Sequence, residues 1–124
     1  MGFPKLKPLY WVGGSRKDLK KLPEEVQDVF GYALYLAQTG ERHRESKTMK
    51  GFGSGAVVEV VEDFDGSTYR AVYTVKFVGA VYVLHAFQKK SKRGIGTPQA
   101  DIDLIRSRFK LAEEDHNERK GNES

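Results

Sequence analysis

The stretch of sequence that decides the fold runs from residue 56 to residue 88 and reads AVVEVVEDFDGSTYRAVYTVKFVGAVYVLHAFQ. Valine and aromatic residues, which favour strands, are concentrated in segments 56–62, 68–77 and 80–88. Asp65-Gly66 lies between the first two segments, and an Asp-Gly pair is a strong signal for a tight β-hairpin. A second turn around Gly79 separates the last two segments. The stretch therefore predicts a three-stranded antiparallel meander.

The residues before the meander predict a short strand and two helices. Residues 9–12 are strand-forming and lie between a proline and two glycines. Ser15 begins a Ser-x-x-acid pattern typical of a helix N-cap, so a short helix is expected from there. A longer helix is predicted from Pro23 to Gly40. Its apolar residues recur at spacings of three and four: Val26, Val29, Phe30, Ala33 and Ala37.

The residues around and after the meander complete the predicted order. Residues 41–55 are charged and rich in glycine, and no regular element is predicted there. Thr97-Pro98 is typical of a helix start, and the last helix has an apolar stripe with basic residues toward solvent. The stripe is Ile102, Ile105, Phe109 and Ala112, and the basic residues are Arg106, Arg108 and Lys110. The order predicts an α+β fold whose helices, including the C-terminal one, pack on one face of the sheet.

Length and composition limit the domain count and the class of protein. With 124 residues, the chain should form one domain, predicted over residues 1–112, followed by a polar and flexible tail over residues 113–124. The absence of cysteine excludes a disulfide framework and a thiolate zinc site. No apolar stretch is long enough to span a membrane, and no secretory leader is recognisable, so we expect a cytoplasmic protein without membrane contact.

The net charge of +4 is unevenly distributed. The predicted tail has five acidic and two basic residues, which leaves 19 basic against 12 acidic residues in residues 1–112. An excess of about seven positive charges attracts a polyanion, which makes nucleic acid the leading class of partner.

Arg70 is placed in the middle of a predicted strand. Strand alternation sets Arg70, Val72 and Thr74 on one face, taken as the solvent-facing one, and Tyr69, Ala71 and Tyr73 on the other. An arginine at such a position pairs with a carboxylate across the hairpin, here Glu59 or Glu62, or binds a phosphate. The sequence leaves both interpretations open.

Two basic segments flank this arginine in the predicted fold, and we expect them to converge with it on one groove. They are Arg42, Arg44, Lys47 and Lys50 before the meander, and Lys89, Lys90, Lys92 and Arg93 after it. Phe52, between glycines, is a candidate for stacking on a base.

His85 is the one histidine inside a predicted element, and alternation gives it Val81, Val83 and Phe87 as neighbours on its face. A hydrogen-bonded core histidine is the favoured interpretation, with a catalytic acid or base as the alternative. No nucleotide-cofactor motif is present, and the acids around Asp65 are explained by the hairpin rather than by an ion site. We therefore predict neither a cofactor nor a metal.

Two strands carry a family resemblance. Tyr69-Arg70-Ala71-Val72-Tyr73, followed by Val83-Leu84-His85-Ala86-Phe87-Gln88-Lys89-Lys90, resembles the RelE/ParE superfamily, in its phage-derived HigB-like branch. The resemblance covers about residues 7–112. It implies a RelE-like fold and the toxin of a type II toxin–antitoxin pair: a metal-independent endoribonuclease that cuts mRNA on the ribosome. It also implies a cognate antitoxin, often of the helix-turn-helix type, as partner.

The resemblance also implies roles for individual residues. Arg70 would contact the scissile phosphate, and Lys90, with Lys89 as the alternative, would be the acid. Lys47 and Lys50 would bind RNA. Gly94-Ile95-Gly96 occupies the stretch where RelE-type members have a stacking tyrosine, so this chain departs from the pattern there. Two other functions remain open: a ParE-like inhibitor of a topoisomerase such as gyrase, and a nucleic-acid-binding module without activity, favoured if a carboxylate neutralises Arg70.

Overall fold

A computed structural model describes residues 5–53, 56–89 and 96–122 of the chain. Its elements follow the predicted order, with one additional short strand. They are β1 (Leu9–Trp11), α1 (Ser15–Lys20), α2 (Glu24–Gln38), β2 (Ser46–Thr48), β3 (Val57–Phe64), β4 (Ser67–Thr74), β5 (Val81–Lys89) and α3 (Gln99–Asn122). No helix within these ranges has the length and apolar character needed to cross a membrane.

The strands form one five-stranded mixed sheet in the order β1-β5-β4-β3-β2. The predicted meander is its centre, since β3 pairs antiparallel with β4, and β4 antiparallel with β5. Asp65 and Gly66 both have positive φ, 50° and 80°, as the tight hairpin requires. Strand β1 adds in parallel to β5. The sequence did not predict β2, because its three residues are all polar or charged and show no alternation of apolar and polar side chains. Its pairing with β3 holds it in the sheet.

Helices cover both faces of the sheet, so the expectation of helices on one face is wrong. One buried cluster joins Phe30 and Leu34 of α2 to Val58 and Tyr73. The second joins Ile105 of α3 to the opposite face. The face that carries Arg70, Val72 and Thr74 was expected to be solvent-facing, but all three are buried in the structure. Polar residues alternate with apolar ones on this face, which resembles the pattern of a solvent-facing surface. Helix α3 nevertheless packs on it and buries it.

Helix α3 continues to Asn122, so the predicted domain boundary at residue 112 falls inside it. Polar and aromatic contacts hold its C-terminal part: Lys76 Nζ lies 3.0 Å from Glu113, and Tyr82 donates to Asp115 at 2.7 Å. Such contacts leave little trace in a hydrophobicity pattern, which explains why these residues were expected to be a flexible tail.

Three side chains in or beside the helices differ from what the sequence predicted for them. Ser15 begins α1 but makes no capping bond, and its buried hydroxyl has no hydrogen-bond partner among the described residues. Thr97 donates to Glu59 at 3.0 Å, in another element. Arg108, expected in solvent, is mostly buried and donates to Asp18 at 2.8 Å and to the Leu84 carbonyl at 2.9 Å.

Candidate functional site

The register of the sheet aligns the candidate site residues on the face that α3 covers. Lys47 of β2 pairs with Glu59 of β3. Glu59 pairs in turn with Val72 of β4, and Val72 pairs with His85 of β5. Because paired residues share a face, these four side chains form one row across the sheet. Arg70 belongs to the adjacent row, opposite Phe87.

Arg70 and Glu59 form a buried ion pair at the centre of this face. The Arg70 Nη1 atom donates to Glu59 Oε1 at 2.6 Å, and both residues are less than a tenth exposed. Of the two carboxylates that the sequence offered as partners, the structure selects Glu59. The Nε atom of Arg70 is buried without a hydrogen-bond partner in the described part of the chain.

Glu59 is bound on both of its oxygens. In addition to Arg70, its Oε1 atom lies 3.6 Å from the Lys47 ammonium group. Its Oε2 atom accepts the hydrogen bond from Thr97. The carboxylate therefore connects β2, β4 and the segment that leads into α3.

A cavity of about 260 Å³ opens beside this pair. Lys47 and Lys50 stand on one side of it, Arg70 and Glu59 are also in its wall, and residues 96, 97 and 102 form the side nearest α3. The side chain of Lys47 is 63% exposed, so its positive charge is available to a ligand. Two of the predicted RNA-binding lysines thus converge with Arg70.

Lys89, at the end of β5, is electrostatically coupled to the same group of charges. Burial lowers the pKa of Lys89, and the positive charges of Arg70 and Lys47 lower it further, while Glu59 opposes them. A lowered pKa makes a lysine a better proton donor near neutral pH. The lysine at position 90, preferred as the acid in the resemblance, lies outside the described residues.

His85 is turned toward α3 by an irregularity in β5. The register between β4 and β5 shifts at Val72 and Tyr73, which leaves Leu84 as an extra residue. A bulge of this kind interrupts the alternation, so His85 does not share a face with Val81 and Val83 as predicted.

The imidazole of His85 is buried between two acidic residues. Its Nε2 atom is 2.8 Å from Asp101 of α3, and its Nδ1 atom is 3.4 Å from Asp18 of α1. Its ring also stacks on Phe87, with centroids 4.5 Å apart. This is the geometry of a hydrogen-bonded core histidine, which was the favoured interpretation, and it connects α1, β5 and α3.

The remaining predicted residues are dispersed. Arg42 makes a long contact with the Thr48 hydroxyl, at 3.5 Å, and Arg44 lines a separate groove with His43. Lys92 and Arg93 lie outside the described residues, so the convergence predicted for them is not tested. Phe52 packs edge-on against Phe109 and lies under Arg106, so it is part of the core edge and is not free to stack on a base.

From the sequence, Glu59 was expected only as a structural partner of Arg70, and Thr97 only as the cap of the last helix. The signal for a larger role was the position of Glu59: a carboxylate between two valines of a central strand needs a buried cation. Among the described residues, no three histidine or acidic side chains are grouped so as to hold a metal ion.

Comparisons with known proteins give a family and a fold. Residues 17–110 match the family model described as "Phage derived protein Gp49-like (DUF891)". No curated protein matches the chain.

Several solved structures are similar to this chain, and two of them are toxin structures. One is a doubly substituted variant of the toxin RelE from E. coli in the free state, at 19% identity and a TM-score of 0.53, covering 68% of this chain and 85% of that one. Another is the toxin–antitoxin complex RelBE2 from Mycobacterium tuberculosis, at 17% identity and a TM-score of 0.47, covering 69% of this chain and 94% of that one. The similarity to RelE confirms the predicted α+β fold of RelE type. The family match covers most of the chain, and the protein belongs to the phage-derived Gp49-like family.

Proposed function

We propose that this protein is the toxin of a type II toxin–antitoxin pair and that it acts as a metal-independent endoribonuclease on mRNA bound to the ribosome. One observation carries the proposal: Lys47, Lys50 and Arg70 meet in one cavity beside a buried carboxylate. The family membership, the RelE-like fold and the basic composition support it.

The charges at the site suit a phosphodiester. Arg70, Lys47 and Lys89 contribute three positive charges, and Glu59 contributes one negative charge, so the group retains two positive charges. A phosphate approaching from solvent meets the exposed Lys47 first. Cations placed in advance stabilise the negative charge that develops on the phosphoryl oxygens during strand cleavage.

Cleavage by this mechanism requires a base and an acid. The ribose 2′-oxygen attacks the adjacent phosphorus, the bond from phosphorus to the 5′-oxygen breaks, and a 2′,3′-cyclic phosphate and a 5′-hydroxyl result. When a phosphate binds the cations, it competes with Glu59 for them, which frees Glu59 Oε1 to accept the proton of the 2′-hydroxyl. The leaving 5′-oxygen takes a proton from Lys89, whose pKa is lowered, or from Lys90.

A second function is favoured by the Arg70–Glu59 ion pair itself. Both oxygens of Glu59 are engaged and the Arg70 charge is compensated, as expected for a nucleic-acid-binding module without activity. The endoribonuclease and the binding module would both bind RNA, and only the endoribonuclease would cleave it. A topoisomerase inhibitor is the third outcome that an experiment must recognise.

The partner proposed for the toxin is a cognate antitoxin, of the helix-turn-helix type. Its binding would suppress activity in the cytoplasm, where we place the protein. A neighbouring gene whose product forms a complex with this chain and restores growth would support this part of the proposal.

Induced expression in a bacterial host tests the function. The experiment compares growth and the mapped 5′ ends of messages among four proteins. They are wild type, Lys89→Gln, Lys90→Gln and the control Lys17→Gln, at an exposed position of α1. We expect wild type and the control to arrest growth with new ends inside translated frames, and one of the two lysine variants to lose both effects. Arrest with altered supercoiling and no new ends would indicate topoisomerase inhibition. Absence of arrest would indicate a binding module.

A further inference from the structure

A second cavity, of about 410 Å³, lies at the opposite end of α3 from the Arg70 site. It is lined by the turn between β4 and β5, by Tyr10 of β1 and by the last turns of α3, and it is open to solvent on one side. From Gln99 to Arg119 the helix rises by about 30 Å. The proposed endonuclease activity makes no use of this cavity.

Aromatic rings form much of its wall. Phe77 and His116 stack with their ring centroids 4.9 Å apart. Tyr10 and Tyr82 lie 5.1 Å apart, and the guanidinium of Arg119 covers the Tyr10 ring at 3.9 Å. Flat surfaces of this kind bind planar aromatic ligands, including every nucleobase.

The charged residues of the wall are all basic: Lys76, Arg119 and Lys120. Two of them are paired with acidic residues of α3 that do not line the cavity. Glu113 is 3.0 Å from the Lys76 ammonium group, and Asp115 accepts from Arg119 Nε at 2.7 Å. Since Asp115 binds the Nε edge of Arg119, the guanidinium is held in place, and its Nη groups can donate to a ligand.

We propose that this cavity binds one nucleoside phosphate, either a free nucleotide or one nucleotide of an RNA strand. The volume is within the range of small-molecule sites. The base stacks on the partly exposed ring of His116, which itself stacks on the buried Phe77. The phosphate is held by Arg119 and Lys120. An isolated base or an isolated phosphate uses only half of these contacts.

Titration calorimetry on the purified full-length chain tests the site with AMP, and adenosine and inorganic phosphate serve as half-ligand probes. We expect saturable binding of AMP and much weaker binding of both half-ligands. Binding of AMP and inorganic phosphate with equal affinity would overturn the proposal, because it would show a site for phosphate without a base. Absence of AMP binding would overturn it as well.

Two variants locate the binding. Arg119→Gln removes a charge-assisted phosphate contact and should weaken AMP binding about tenfold. His116→Ala removes the stacking face and should weaken AMP more than inorganic phosphate. The control is Lys110→Gln, an exposed lysine of the same helix outside the cavity wall. Melting curves of all variants separate loss of binding from loss of fold, and equal AMP affinity in all of them would overturn the assignment.

A short single-stranded RNA distinguishes the two sources of the ligand. If the occupant is a nucleotide of a strand, the RNA binds more tightly than AMP, and Arg119→Gln weakens both. If the occupant is a free nucleotide, Arg119→Gln weakens AMP and leaves RNA binding unchanged. Either result supports the site. The test is independent of cleavage, so failure of the proposed endonuclease activity does not decide it.

Discussion

Glu59 is the residue on which the stability of the Arg70 site and its proposed chemistry depend. It is 2% exposed, and an isolated carboxylate at such a depth is strongly destabilising. Arg70, Lys47 and Thr97 compensate it from three different elements. The same contacts hold Arg70 at a fixed place in the cavity wall.

Removing one partner of the Arg70–Glu59 ion pair should lower the free energy of unfolding more than removing both partners. Arg70→Ala leaves Glu59 buried with less compensation, and we expect the free energy of unfolding to fall by about 3–5 kcal/mol. The double variant Glu59→Gln with Arg70→Gln carries no buried charge and should recover a large part of that loss. Urea unfolding followed by circular dichroism measures both. Equal losses in the two proteins would contradict the description of a coupled pair.

In a folded Glu59→Gln variant, checked by its circular dichroism, the catalytic role of the carboxylate separates from its purely structural role. The amide keeps the shape of the side chain but neither neutralises the cations nor accepts a proton. We therefore expect tighter RNA binding, measured by fluorescence anisotropy, together with loss of cleavage. Cleavage at the wild-type rate would limit Glu59 to orienting Arg70.

The lowered pKa of Lys89 predicts a pH dependence of cleavage. The protonated lysine is the proposed acid, so the rate should fall as pH rises through its pKa, which lies below the ordinary value of 10.5. In Lys89→Arg the guanidinium stays protonated, and this basic limb of the profile should disappear. A limb that persists in Lys89→Arg would assign the proton transfer to Lys90.

At the scale of elements, α3 defines both candidate sites. Its first turns and the preceding Thr97 form one side of the Arg70 cavity, and its last turns form one side of the aromatic cavity. Between them, Ile105 and Ala112 are fully buried against the sheet. The contacts of His85 and Arg108 with Asp101 and Asp18 add polar connections among α1, β5 and α3.

The C-terminal part of α3 should contribute to stability although it reads as a polar tail. Ending the chain after Ala112 removes the hydrogen bond between Tyr82 and Asp115 and the stacking of His116 on Phe77. We expect the free energy of unfolding to fall by about 2–4 kcal/mol. Asp115→Ala should reproduce part of the loss, and Glu114→Ala, at an exposed position, should not. An unchanged thermal midpoint of the truncated chain would contradict a stabilising role for these contacts.

The elements differ in how far the sequence could predict them. Strands β3, β4 and β5 and helix α2 were predictable because β-prone segments, an Asp-Gly turn and a 3.6-residue period are local signals. The bulge at Leu84 and the second cover by α3 were not, because each depends on which distant residues meet. Arg70 and Glu59 could be paired from the sequence, but Glu62 was an equal candidate until the register was known.

At the scale of the whole molecule, the positive charge favours a polyanionic partner, and the sheet concentrates part of it on one face. Lys47, Lys50, Arg70 and Lys89 come from three strands and one loop that are far apart in sequence and adjacent in space. The central claim is that this group of residues cuts RNA, rather than only binding it.

The most direct measurement is cleavage of a defined message on translating ribosomes by the purified protein, mapped by primer extension in the presence of a metal chelator that spares ribosome-bound magnesium. The account predicts cuts within the translated frame for wild type and for Lys17→Gln. It predicts none for the Glu59→Gln, Arg70→Gln double variant, provided that the variant is folded. The same cuts from wild type and the folded double variant, or no cuts from wild type, would contradict it.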